Sequence, residues 1–196
     1  GDCGLSLAAA ATCTLVVEFA PVALGPFADT ISVSYNDGAA AQLSNRDIQG
    51  TAGTPASLDI AGLDPYDFGT KANGSTTTIV RTMTNSGAVS ATSIADGLGL
   101  AAPYAFTGAG YPGTTGTCTA TLAAGASCTI ELQYNPSALG ASSDTLIINY
   151  DDEAVAQILN HGVQGTSASP ASLTISDSNP YDYGSVAVGA TGTHTF

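Results

Sequence analysis

The stretch Cys118-Thr-Ala-Thr-Leu-Ala-Ala-Gly-Ala-Ser-Cys128-Thr-Ile-Glu-Leu-Gln-Tyr134 decides the fold. Beyond Cys128, the apolar Ile130, Leu132 and Tyr134 alternate with Glu131 and Gln133. A period of two turns one side of a strand to a core and the other to water. The same arrangement stands near the start of the chain, where Cys3 and Cys13 precede Leu15, Val17 and Phe19. Shifting the chain by 115 positions lays residues 1–81 over 116–196 without a gap, with 36 identities in 81 positions. Every loop in the two copies keeps its length, as a tandem array of rigid modules requires.

Further strands follow the same alternation. Leu146, Ile148 and Tyr150 form one, echoed by Ile31, Val33 and Tyr35, and no segment carries a helical stripe. Short alternating runs between Gly, Pro, Asn and Asp clusters predict an all-β fold. It consists of tandem immunoglobulin-like antiparallel β-sandwich modules with a period of 115 residues. The expected boundaries are 1–53, the C-terminal half of one module; 54–167, a complete module; and 168–196, the N-terminal strands of a further module. Half-modules would expose strand edges and raw core. Either the chain is a window of a longer polypeptide, the favoured reading, or neighbouring chains supply the missing strands. The apolar run Leu5 to Val17 looks like the core of a secretion signal, but its counterpart at 120–132 lies in mid-chain, so it reads as folded hairpin.

Composition narrows the function. Three basic residues (Arg46, Lys71, Arg81) face 16 acidic ones, for a formal charge of -13. Such a chain repels nucleic acid and anionic membrane surfaces, which bind through Lys and Arg. No stretch reaches the roughly 20 apolar residues of a membrane helix, so no membrane insertion is expected in this segment. The scarcity of Lys and Arg also leaves few sites for trypsin-like proteases, which suits life outside a cell.

Cys3, Cys13, Cys118 and Cys128 form two pairs with the same wide spacing. Metal ligands would usually come as C-x-x-C with histidine nearby, and neither His161 nor His194 recurs in the other copy. Disulfides Cys3–Cys13 and Cys118–Cys128, each closing a hairpin, are the economical reading; buried free thiols are the bland alternative. Disulfides imply an oxidising compartment, hence a secreted, periplasmic or surface-exposed protein, with the secreted, cell-surface placement favoured.

At this point the residues resemble a known family. Pro170-Ala-Ser-Leu173, Tyr181-Asp-Tyr-Gly184 and Val188-Gly189 look like the start of Hydin-like immunoglobulin-type repeats of bacterial surface proteins. These are often called "choice-of-anchor D" domains and are distant relatives of major sperm protein modules. The later motifs are Cys118 to Ile130, Tyr134-Asn-Pro136 and Gly140 with Asp144-Thr-Leu146. The resemblance implies spacer, scaffold and interaction roles and brings no catalytic residues. Arg81 departs from it, standing in phase with Ile79 and Met83 where Phe196 keeps an aromatic; a module junction or an acidic partner would explain it.

No G-x-S-x-G, H-E-x-x-H or P-loop occurs, so no enzymatic activity is expected. His161 reads as a turn residue in place of Arg46, and His194 as an ordinary strand position. Asp64, Asp67, Asp177 and Asp182 near the module junctions are weak calcium candidates; the bland reading is that they cap turns. No other cofactor is expected. Asn73-Gly-Ser75 matches a glycosylation sequon with no counterpart at Val188. The leading expectation is a structural protein: a repeat segment or subunit of an extracellular fibre, filament or stalk on a microbial surface. Its partners would be copies of itself or adjacent modules. The alternatives are an adhesin or carbohydrate-binding module, or a passive spacer of a larger secreted protein. An exposed platform of Tyr104, Phe106 and Tyr111 would favour the adhesin, whereas at least Tyr104 and Phe106 read more simply as core packing.

Overall fold

The computed structural model describes residues 1–196, the side chain of Ala109 excepted. Its strands are β1 (Gly25–Asn36), β2 (Ala41–Ala52), β3 (Leu58–Ile60), β4 (Tyr66–Ala72), β5 (Thr77–Asn85), β6 (Thr92–Asp96), β7 (Tyr104–Phe106), β8 (Ser127–Tyr134), β9 (Gly140–Asp151) and β10 (Ala156–Ala168). Two four-stranded sheets, ordered β4-β10-β9-β6 and β3-β5-β8-β7, form an immunoglobulin-like sandwich. The β4–β10 pairing is parallel and the others antiparallel. Among the described residues, no helix is long and apolar enough to cross a membrane.

Alternation builds the core. Ile130, Leu132 and Tyr134 of β8, Leu146 and Ile148 of β9, and Val163 of β10 turn inward and are buried with Met83. Three rings cluster at one end: Tyr134 stacks on Tyr104 at 5.0 Å and lies 5.4 Å from Phe68. Gly165 makes room for them, since a Cβ there would meet the Tyr134 ring at 2.9 Å.

Arg81 points inward on β5, and among the described residues it has no acidic partner. Its guanidinium lies 4.8 Å from the centre of the Tyr66 ring and donates through Nη2 to the Ala61 carbonyl. A delocalised cation stacks on an aromatic face with little loss of hydration, so the sandwich can close over its stem. His161 is no turn residue: it lies within β10, buried opposite Leu146.

The first copy repeats only part of this architecture. The hairpin β1–β2 has the register of β9–β10, with Ile31 opposite Arg46 as Leu146 is opposite His161. The expected strand through Leu15, Val17 and Phe19 and the hairpin expected over Leu5 to Val17 contain no strand. The reason is tertiary. In the sandwich, β8 pairs with β5 and β7, and no counterparts of those two strands lie against residues 12–19. An antiparallel hairpin needs only itself. Residues 169–196 are likewise without strands, and His194 there is no strand residue: its ring stacks on Tyr181 at 4.0 Å.

Candidate functional site

The cysteine hairpin is tied to the sandwich by a disulfide, backbone hydrogen bonds and one bridge. Gly125, at φ +68°, turns the chain between the cysteines, and the Ala126 amide donates to the Ala123 carbonyl at 3.1 Å. Cys118 and Cys128 are bonded with their Cα atoms 4.9 Å apart. The arm before the turn is not a regular strand; its one bridge joins Leu122 to Ala91. Cys3 and Cys13 are bonded with the same Cα separation, and no cysteine is free.

Asn85 anchors this hairpin from below. Its side chain is fully buried, and its Oδ1 accepts from the amides of Ser57 at 3.1 Å and Gly87 at 3.0 Å. Its Nδ2 donates to the carbonyls of Val89, Leu122 and Ala123 at 2.9, 3.0 and 3.3 Å. One amide thus joins the segment before β3, the end of β5 and the disulfide hairpin. The motif Asn85-Ser-Gly87 reads as a simple turn; only the parity of Asn85 with the inward-facing Met83 hints at burial.

The aromatic residues form no platform. Tyr104 and Phe106 are core residues, and Tyr111 packs edge-on against Phe106 at 5.5 Å. Tyr104 donates its hydroxyl proton to the Ser142 carbonyl at 2.8 Å. Among the described residues the Tyr111 hydroxyl has no partner, and burial pushes its pKa up to about 12.

The acidic residues act on the backbone. Asp64 Oδ1 accepts from the Gly162 amide at 2.7 Å, and Asp67 accepts from the Gly69 amide at 2.7 Å and Gln164 Nε2 at 3.2 Å. Asp182 accepts from the Gly184 amide at 2.8 Å, while Asp177 meets His194 Nε2 at 2.7 Å. The four calcium candidates are not brought together. Among the described residues, no group of three or more His, Cys, Asp or Glu side chains is arranged to hold a metal ion.

Two further carboxylates build identical turns. Asp152 accepts from the amides of Ala154 at 2.8 Å and Val155 at 2.7 Å and from Gln157 Nε2 at 2.8 Å. Asp37 does the same with Ala39, Ala40 and Gln42. Donation to the ionised form, first by the Val155 amide and then by the Ala154 amide, holds Asp152 below the usual carboxylate range. Glu131 is lowered by the Thr107 hydroxyl first and the Thr115 amide second, at 2.6 and 2.9 Å. A carboxyl with a depressed native pKa contributes stability above its unfolded value and loses it as pH falls through the native one. Urea midpoints are therefore expected to be flat near neutrality and to fall below about pH 4, where carboxylates begin to protonate. Glu131→Gln should flatten that fall; an unchanged acid limb in this variant would exclude Glu131 as a contributor.

The profile of the HYDIN/CFA65/VesB-like, Ig-like domain family matches residues 62–165, more than half of the sequence and most of the sandwich. The chain belongs to this family. By structure it is similar to the VesB protease of Vibrio cholerae, at 17% identity and a TM-score of 0.44, over 57% of this chain and 32% of that one. It is also similar to PapD-like domain 7 of human CEP192, at 13% identity and 0.41, over 60% of this chain and 89% of that domain. A third similarity is to the secreted serine protease VesC from Vibrio cholerae, at 22% and 0.39, over 58% and 23%. The chain thus spans about a third of the VesB chain and less of VesC. No curated protein sequence matches it.

Proposed function

We propose that this Ig-like chain is a structural element of an extracellular fibre, filament or stalk on a microbial surface. Residues 54–167 serve as one complete module, 1–53 as the C-terminal half of another and 168–196 as the first strands of a third. The observation that carries the reading is the gapless 115-residue repeat, in which loops, disulfide and hairpin register are all kept. A binding protein varies its loops to fit a ligand, whereas an array that transmits load keeps them. The disulfides support placement in an oxidising compartment. The burial of Tyr104 and Phe106 removes the feature that would have favoured an adhesin.

Immunogold labelling of the source cells with antibodies to residues 54–167 tests the reading. Label is expected along surface extensions of intact cells. Label confined to the cell interior would overturn it. A mechanical consequence follows for the disulfide. Cys118 and Cys128, 10 residues apart in sequence, exclude that loop from extension while bonded. Reduction should lengthen the stretched sandwich by about 30 Å, from roughly 3.5 Å per residue less the folded separation. Single-molecule pulling with and without reductant measures this, and an unchanged contour length would deny the disulfide a tether role. Unbonding should also cost the sandwich roughly 2–3 kcal/mol.

A further inference from the structure

We propose that residues 107–122 are an edge guard, which occupies the side of β8 that faces away from β5 and so bars the β8 strand of a second copy from adding to the sheet. The guard lies within the sandwich and does not depend on the fibre reading.

Strand lengths create the need for it. β8 has eight residues, but β7 covers only the last three, Leu132 to Tyr134. In an antiparallel sheet, alternate residues direct their N–H and C=O groups to opposite neighbours. On β8, Thr129 and Glu131 direct theirs away from β5, beyond the reach of β7. A bare row of this kind is a template for another strand. Two such rows meeting antiparallel would set Thr129 of one copy opposite Glu131 of the other and close both at once.

The row is taken, but not by a strand. The Thr129 amide donates to Thr117 Oγ1 at 2.9 Å, and its carbonyl accepts from the amides of Thr117 at 2.8 Å and Cys118 at 3.1 Å. The Glu131 amide donates to the Pro112 carbonyl at 2.7 Å. The Glu131 carbonyl is covered by Gly113, at φ +96°, which backs onto it so closely that a Cβ would collide with the oxygen. Past the end of β8, the Asn135 amide donates to the Pro103 carbonyl at 2.8 Å. A proline accepts through its carbonyl and has no N–H to pass on, so a ladder stops there. Other bonds of the guard turn back on it, from the Gly113 amide to the Gly110 carbonyl at 2.8 Å and from the Gly116 amide to the Gly113 carbonyl at 3.2 Å. The stretch that follows reaches the other sheet. The Ile94 amide of β6 donates to the Ala120 carbonyl at 3.0 Å, and Ala91 and Leu122 exchange bonds at 2.9 Å. One segment therefore closes the same side of both sheets.

A latch holds the guard down. Thr107 Oγ1 donates to Glu131 Oε2 at 2.6 Å, and the Thr115 amide donates to the same oxygen at 2.9 Å. Thr107 Oγ1 in turn accepts from the Thr114 amide at 2.8 Å. Glu131 stands opposite Val80 of β5, and among the described residues it makes no ion pair. Its carboxylate is spent on the guard.

Hydrogen exchange read by mass spectrometry over residues 127–134 of the full 196-residue chain tests the guard. Glu131→Thr keeps a strand-forming residue and removes the reach of the latch. Glu131→Gln loses the same charge and keeps an acceptor of the same reach. Gly113→Ala lifts the guard from its own side and leaves β8 untouched. In dilute solution, Glu131→Thr and Gly113→Ala should exchange the amides at positions 129 and 131 roughly tenfold faster than the unmodified chain, and Glu131→Gln within about twofold of it. The β9–β10 amides should be unchanged in all three. Raising the concentration should slow positions 129 and 131 again in the two lifted variants, as the β8 strand of a second copy takes the place of the guard. Amides that stay as slow as in the unmodified chain, or fast ones whose rate ignores concentration, overturn the proposal. If one lifted variant also loses β9–β10 protection, the other decides; loss in both would make the segment part of the core and overturn its role as a guard.

Discussion

Replacing Asn85 with alanine is expected to destabilise the sandwich by about 3–5 kcal/mol, since buried groups left without partners cost roughly 1–3 kcal/mol each and water rescues only some. The substitution strands the amides of Ser57 and Gly87 and the carbonyl of Val89, while the carbonyls of Leu122 and Ala123 keep only the backbone amides of Ala91 and Ala126. Asn85→Asp separates the two halves of the network. It keeps the acceptor for the two amides, loses both donor protons, and places a charge among three carbonyls. It should therefore be nearly as damaging at neutral pH and milder in acid, where a protonated carboxyl can donate once. Urea denaturation of the three proteins at two pH values reads this directly. A loss below about 1 kcal/mol for the alanine variant would reduce Asn85 to an ordinary turn residue.

Tyr134→Ala is the second large effect, at about 3–5 kcal/mol for a buried aromatic truncated to alanine. Tyr134 is fully buried between Tyr104 and Phe68, so deletion leaves both rings facing a cavity. Tyr134→Phe should cost less than about 1.5 kcal/mol, because the hydroxyl has only a long contact, from Ser142 Oγ at 3.4 Å. Gly165→Ala should cost about 1–3 kcal/mol by overpacking against the same ring. Combined with Tyr134→Ala, that penalty should largely vanish, since the clash at 2.9 Å no longer exists. Additive losses in the double variant would mean Gly165 is required for its backbone and not for the ring.

Much of the fold is legible in the amino-acid order because it depends on local periodicity. The alternation through Ile130, Leu132 and Tyr134 recovers β8, and Leu146, Ile148 and Tyr150 recover β9. The repeat adds more than either strand alone, since two copies of one pattern place the same hairpin twice. The same reasoning overreaches at Leu15, Val17 and Phe19, whose pattern is that of β8 but whose strand partners are not beside them. Alternation reports which face a strand would bury and is silent on whether another strand is present to pair with it. The candidate site is less legible. Turn-capping by Asp67 and Asp182 is local and follows from Asp two residues before Gly, whereas the network of Asn85 joins residues 28 and 37 positions apart.

The sequence by itself determined the class of fold, the family resemblance and the 115-residue internal repeat that carries both cysteine pairs. Each rests on short-range periodicity, on composition or on a repeat that needs no third dimension to see. Tertiary structure alone decided that Arg81 stacks on Tyr66, that His161 is buried in a strand, and that Tyr104 and Phe106 are core. It also decided which of the repeated segments form strands. A hairpin closes its own hydrogen bonds, while β8 and β4 have partners distant in sequence, and without them an alternating pattern remains a strand only in prospect.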